Sequence, residues 1–360
     1  MTTLLQGRLG SIVVAGAVLA GAALGGIAAR PAKGAAALPG GSGYHLKKKI
    51  KVGGEGGWDY LMIDSATRRL FISRGTHVMV VDVDSDKVVA DIPDTPGVHG
   101  IALAPKLNRG FVSNGRGNNV TIFDLKTLAT IGHAAAGQNP DAIIYDPASK
   151  RAFAMNGRSG DITAVDGASG DVAGTVAVGG KLEFAAADGK GRIYVNVEDK
   201  NEIVEVDAKK LTVLAHWPLA PCEEPSGLAM DTKNRRLFAG CGNKMMAVVD
   251  ADSGKVLATP AIAEGVDANG FDHGTEFAFA SCGGGDGVLT VVHEDSKDKF
   301  TVAENVPTQR GARTMTLDPK SHEVYLVTAD FGPRPEPTKD NPRPRPPMLP
   351  DSFTVLVLAR

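Results

Sequence analysis

Aromatic side chains make up only 5% of this 360-residue sequence, and there are just three cysteines. Three thiols in so long a chain exclude a small disulfide-stapled scaffold. None of them falls in a Cys-x-x-Cys, Cys-x-x-Cys-His or clustered Cys/His spacing, so haem attachment and structural zinc find no foothold. No Gly-x-Ser-x-Gly elbow exists to present a serine nucleophile. Gly283–Gly287 (GGGDG) lacks the Lys-Ser/Thr pair and the following helix that a phosphate cradle needs. Charge is sparse in net terms, −2 at neutral pH, which argues against binding nucleic acid through bulk attraction.

Long apolar runs are missing except at the start. Ile12 to Ala29 is an unbroken stretch of apolar and small residues, preceded by Arg8 and followed by Arg30, Pro31 and Lys33. Ala35-Ala36-Ala37 then supplies a small-residue cleavage site, so residues 1–37 read as a signal peptide. The stretch also approaches the length of a bilayer span and, left uncleaved, would anchor the chain to a membrane. It contains no twin arginine, and no lipoprotein cysteine follows it. Its removal takes the formal charge from −2 to −5, and the expected location is periplasmic or secreted.

What the sequence has in quantity is glycine, 44 residues, and proline, 21, the composition of a chain with many turns. One pattern recurs seven times, as MIDSATRRLFIS, LAPKLNRGFVS, YDPASKRAFAM, AADGKGRIYVN, MDTKNRRLFAG, FDHGTEFAFAS and LDPKSHEVYLV. Its aromatics are Phe71, Phe111, Phe153, Tyr194, Phe238, Phe279 and Tyr325, spaced 40, 42, 41, 44, 41 and 46 residues apart. Each is followed by an alternating apolar strand, ending in Asp at Asp82, Asp124, Asp166, Asp207 and Asp250 and in His at His293. Repeats of about forty residues with period-two alternation are blades of a β-propeller, four strands to a blade. The last repeat holds only three strands, and Tyr44–Val52 reads as the missing fourth, pairing with Phe353–Leu358 to close the ring. The fold class is therefore all-β, a seven-bladed propeller over residues 38–360, with a proline-rich insertion at 331–352.

The stretches GVHGIALAPKLNRGFVSNGRGNNVTIFD and EEPSGLAMDTKNRRLFAG resemble the YVTN, or YncE-like, seven-bladed propeller family, whose repeat runs Pro-x-Gly-Ile-Ala, a turn, Tyr-Val-x-Asn, then Val-Ile-Asp. The resemblance covers residues 45–360 and implies the fold. It implies no single activity, because the family includes presumed surface proteins, nucleic-acid binders and uncharacterised periplasmic proteins. The tryptophan-rich repeat of eight-bladed quinoprotein dehydrogenases is missing.

Repeat register also selects a site. Counting back twelve residues from each aromatic, or eleven in the shorter fourth repeat, gives Asp59, His99, Asp141, Glu183, Ser226, Asp267 and Arg313. All seven are polar and stand where the innermost strands begin, at the mouth of the central channel. The loops between second and third strands open on the same face and bring Arg74, His77, Arg116 and Arg158. A passive, solvated rim explains polarity there, but acids facing one another call for a cation, a proton or Arg313. His99 with Asp59 and Asp141 is the candidate set for a divalent metal, or for an acid and a base. The seventh repeat's loop, Phe331–Ser352, holds eight prolines and should be extended, a lid or a partner-binding arm.

Cys222 and Cys241 fall on that face and are the expected disulfide in an oxidising compartment, with three buried free thiols as the alternative. His273 and His293 read as turn and strand-end residues, and Lys47–Lys49 as a solvated strand face. The leading expectation is a propeller that binds a small ligand, metal or protein partner at its channel mouth. A metal-assisted lyase or hydrolase on the same face is the alternative, with the loop arginines orienting an anionic substrate. Nucleic-acid binding is the third reading, and its affinity should collapse with salt.

Overall fold

A computed structural model describes residues 41–339, 341–342 and 344–360, and residues 1–37, read above as an export signal, lie outside them. The described chain forms seven antiparallel sheets of four strands each. Its only helical elements are two short 3-10 turns, Pro105–Leu107 and Glu198–Lys200. The first blade runs outward as Leu61–Asp64, Arg69–Ser73, Val78–Asp82 and Lys87–Ile92, and the next five repeat that order.

The repeated residues have distinct jobs. All seven anchoring aromatics are at most 1% exposed, because they fill the space between neighbouring blades. Between blades one and two, for example, Phe71, Val80 and Ile92 pack against Ile101, Val112 and Phe123. The third-strand aspartates close the following turn instead. Asp82 accepts from the amides of Asp84 and Ser85, and Asp124, Asp166, Asp207 and Asp250 do the same in their blades. Blade six, with His293 in that position, has no such turn. Its strands extend to Val288–Ser296 and Lys299–Pro307, and His293 bonds Asp295 at 2.6 Å.

The ring closes as the repeat count required. The strand His45–Lys51 pairs antiparallel with Thr354–Ala359, His45 opposite Ala359 and Ile50 opposite Val355. Tyr44 and Ile50 are each 3% exposed, and the Tyr44 hydroxyl donates to the His322 carbonyl at 2.8 Å. The basic run on this strand is spent locally. Lys47 pairs with Glu323 at 2.7 Å, Lys48 with Asp86 at 2.5 Å, and Lys49 donates to Gln309 at 2.8 Å.

Candidate functional site

The seven register positions sit at or just ahead of the starts of the seven inner strands, and six of them form one contact chain. The His99 Nδ1 atom lies 2.6 Å from Asp59 Oδ2 and 3.7 Å from Asp141 Oδ1. Arg313 reaches Asp59 Oδ1 at 3.3 Å and also pairs with Asp267. The Ser226 hydroxyl donates to the Asp267 carbonyl at 3.1 Å. Glu183 stands apart, held by the Lys181 ammonium at 2.9 Å, which also pairs with Glu198.

Two devices bring these side chains together. One is a polar residue two positions after the anchoring aromatic, which ties down the start of an inner strand. The Ser73 hydroxyl accepts from the Asp59 amide at 2.9 Å. Ser113 accepts from the Gly100 amide at 2.8 Å and donates to the Asp141 carbonyl in the next blade. Asn196 donates to the Ser226 and Gly227 carbonyls, and Ser281 to those of Ala268 and Arg313. The other device is glycine at the close approach of adjacent inner strands. A Cβ on Gly100 would lie 2.8 Å from the Ile143 amide nitrogen and 2.9 Å from the Asp141 carbonyl oxygen. Gly100→Val is therefore expected to destabilise by about 1–3 kcal/mol through overpacking against backbone. It should also part His99 from Asp141, which a nuclear magnetic resonance titration of the imidazole would register as a downward move. An unchanged titration would show that the two blades are not braced at this glycine.

Below the ring, Tyr60 from blade one stacks on Phe184 from blade four with centroids 4.3 Å apart. The Tyr60 hydroxyl is buried with no hydrogen-bond partner among the described residues. Leu61, Ile101, Ala142 and Met315 line the channel beneath, so the polar ring lies above an apolar shaft.

Burial shapes the protonation of the ring. Asp141 is pushed up to about 6, first by desolvation and then by the charges of Asp59 and Asp267, against the pull of His99. Glu183 is pushed up to about 8 by desolvation and the nearby Asp141, with Lys181 opposing. Desolvation pulls the His99 imidazole down, but its Asp59 hydrogen bond and the surrounding carboxylates outweigh this and the net move is upward. Desolvation also raises Asp267 despite Arg313, and raises the Tyr60 phenol well above its usual range.

The loop residues divide. Arg74 is fully buried, and its guanidinium donates to the carbonyls of Gly53, Gly54, Glu55 and Gly56 while lying 3.6 Å over the Phe353 ring. It fastens the lead-in to blade one and offers no surface to a substrate. His77 faces Asp91 at 3.5 Å. Arg116 and Arg158 are exposed, with no carboxylate within 4.0 Å among the described residues. The structure joins Cys222 to Cys241 in a disulfide and leaves Cys282 as a buried thiol. On the opposite face His273 contacts Asp231 at 3.1 Å.

The register of the sequence reached the ring but not Tyr60, Phe184 or Lys181. The first two follow Asp59 and Glu183 directly, one position beyond the polar register. Of the whole rim, Asp59, His99 and Asp141 are the triplet whose ligand atoms all lie within 4.8 Å of one another, the spacing around a single ion.

No protein-family model matches the chain. Two curated relatives, the uncharacterised YncE proteins of Salmonella typhi and Salmonella typhimurium, are each 24% identical over 195 residues, which is 51% of this chain and 54% of theirs. The chain thus spans about half the length of the curated relatives it matches. Among solved structures, a chain of the mitotic checkpoint complex superimposes with a TM-score of 0.70 over 98% of this chain and 99% of its own, at 14% identity. That likeness speaks for the fold alone.

Proposed function

For a chain that is a YncE-like seven-bladed β-propeller, we propose a binding role in which the channel mouth takes a divalent cation on Asp59, His99 and Asp141. The observation that carries this is the 4.8 Å triplet drawn from three consecutive blades. Charge supports it. Asp59, Asp141, Glu183, Glu198 and Asp267 face Arg313 and Lys181, so three negative charges lack a cationic partner when all five acids are ionised and His99 is neutral. A cation would replace the proton at the His99 Nδ1 and relieve the repulsion that raises Asp141. Mixed imidazole and carboxylate ligands suit a first-row ion such as manganese or zinc better than an all-oxygen cage would.

Export belongs to the same reading. The Cys222–Cys241 disulfide supports an oxidising compartment, periplasmic or extracellular, and residues 1–37 supply the expected signal. Propellers commonly serve protein assembly, so a protein partner at the ring face is compatible with this role. A metal-assisted lyase or hydrolase is the second reading. It is favoured by the count of protein ligands, since three leave coordination positions for a substrate.

The test is elemental analysis of the purified chain beside a His99→Ala variant, both exchanged into weakly chelating buffer with calcium, manganese and zinc. Near-stoichiometric metal in the parent and its loss from the variant is the expected result. Metal-free protein in both cases would remove the cation from the proposal and the enzyme reading with it.

A further inference from the structure

Beside the ring, the insertion in blade seven builds a second cavity whose chemistry is opposite in sign. The loop between the second and third strands spans three to five residues in blades one to six, and twenty-five in blade seven. The excess is not needed to join the strands. Its base is ordered: Phe331 bridges Met348, the Gly332 amide donates to the Pro347 carbonyl at 2.9 Å, and the Leu349 amide donates to that of Asp330 at 2.8 Å. Between this loop and the lead-in to blade one lies a cavity of about 440 Å³, within the size range of small-molecule sites.

Its lining is cationic and aromatic. Arg310, Arg313, Arg334 and Arg345 surround it, and no Asp or Glu is among the lining residues. Arg313 is shared with the carboxylate ring, but among the described residues Arg310, Arg334 and Arg345 have no carboxylate within 4.0 Å. Three guanidinium groups without a carboxylate among the described residues repel one another around one space, and in a chain of net negative charge nothing in composition forces them together. Trp58 and Phe331 form a wall with ring centroids 6.1 Å apart, and the Trp58 indole N–H has no partner among the described residues. Arg310 is held in place through its carbonyl, which accepts from the Thr328 hydroxyl at 2.6 Å.

We propose that this cavity is a binding site for a small organic oxyanion, a carboxylate or phosphate carried on a single planar ring. The guanidinium fork matches an oxyanion in two parallel hydrogen bonds, which a lysine cluster would not do. The apolar wall of Trp58 and Phe331 takes the ring by stacking. Arg313 joins the two sites through Asp59, whereas Arg310, Arg334 and Arg345 touch none of Asp59, His99 and Asp141 among the described residues, so these three arginines can be tested apart from the cation.

The experiment is a titration of the full chain with phenyl phosphate and benzoate, with inorganic phosphate and benzyl alcohol as comparisons, read by calorimetry and indole fluorescence. The chain has two tryptophans, and Trp217 lies in the outer strand of blade four, so a Trp58→Phe variant identifies the reporting ring. Saturation at one ligand per chain is expected, with phenyl phosphate or benzoate at least tenfold tighter than either comparison. An Arg334→Ala/Arg345→Ala double variant should weaken binding at least tenfold without moving the melting temperature, since both side chains are exposed. Phe331→Ala should bring the aromatic anions down to the level of inorganic phosphate. The same titration in EDTA should be unaltered, which separates failure here from failure of the cation site. Non-saturating binding, or binding indifferent to the double variant, would overturn the proposal.

Discussion

A chain lacking residues 41–51 is expected to lose its cooperative unfolding transition and to associate through the edge it exposes. The deletion removes the strand His45–Lys51, which is the fourth strand of blade seven, along with the buried Tyr44. Tyr44 and Ile50 each contribute burial worth roughly 1.5–3 kcal/mol. The lost ladder bonds add about 0.5–1.5 kcal/mol apiece. Together these rival the whole net stability of an ordinary domain, about 5–15 kcal/mol. What remains uncovered is Thr354–Ala359, TVLVLA, with four of its six residues buried in the closed ring. An apolar unpaired strand is a template for intermolecular pairing. Thermal melts and size-exclusion chromatography would check the outcome, with Ile50→Asp as the milder variant. A shortened chain that stays monomeric and melts within a few degrees of the parent would show that blade seven stands on three strands.

Without added metal, the protein is expected to lose stability as pH rises from about 4.5 to 8, and divalent metal should reverse that trend. The groups facing one another at the mouth are Asp59, His99, Asp141, Lys181, Glu183, Glu198, Asp267 and Arg313. Asp141 titrates at about 6 in the fold and Glu183 at about 8, both above their ordinary values, and His99 is raised as well. Over that window the folded state therefore holds protons that the unfolded chain has released. Stability present at low pH is lost as pH climbs through the folded values, the reverse of a salt-bridged carboxylate. At ~1.4 kcal/mol per unit, Asp141 alone accounts for a loss on the order of 2 kcal/mol. That is a shift of roughly 1–2 °C in melting temperature for each kcal/mol in a chain of this size. A cation at Asp59, His99 and Asp141 displaces those protons, so its apparent affinity should rise up to ~tenfold per pH unit for each proton released. Between pH 5.5 and 7.5 that makes ten- to hundredfold, measurable by calorimetry. His99→Gln should flatten the dependence, and an affinity independent of pH would place any bound ion elsewhere.

The blades were legible because every repeat carries an anchoring aromatic, and five of the seven also carry a turn-closing aspartate, each with a fixed mechanical duty. Phe71 and its counterparts must fill the space between sheets, and Asp82 and its counterparts must accept the amides of the turn that follows. Register then led from Phe71 to Asp59 and from Phe111 to His99 by simple counting, because the intervening turn keeps its length. Arg74 shows where counting ends. Its place in a loop on the right face suggested a free guanidinium, but the carbonyls of Gly53–Gly56 that claim it lie in the lead-in between the closing strand and blade one, which has no counterpart in the repeat alignment. Lys181 was hidden for a related reason, since its partner Glu198 lies in the loop after the second strand of its blade. The arginines of the blade-seven cavity were visible only in part. Arg313 stood in the register, while Arg334 and Arg345 lay within an insertion that has no counterpart in the other blades to compare with.

The closing pair sets how the ring answers to force. His45 lies opposite Ala359, so the two ends of the described chain leave the same sheet at the same corner, side by side. Tension between them would open the pair like a zipper, one rung at a time, whereas a pull along the strands would have to shear every rung at once. The joint that heat finds hard to break is therefore soft to a tug at its ends. A tether attached ahead of residue 44 would load the molecule at that corner, and single-molecule pulling from the two termini should part this strand before any other.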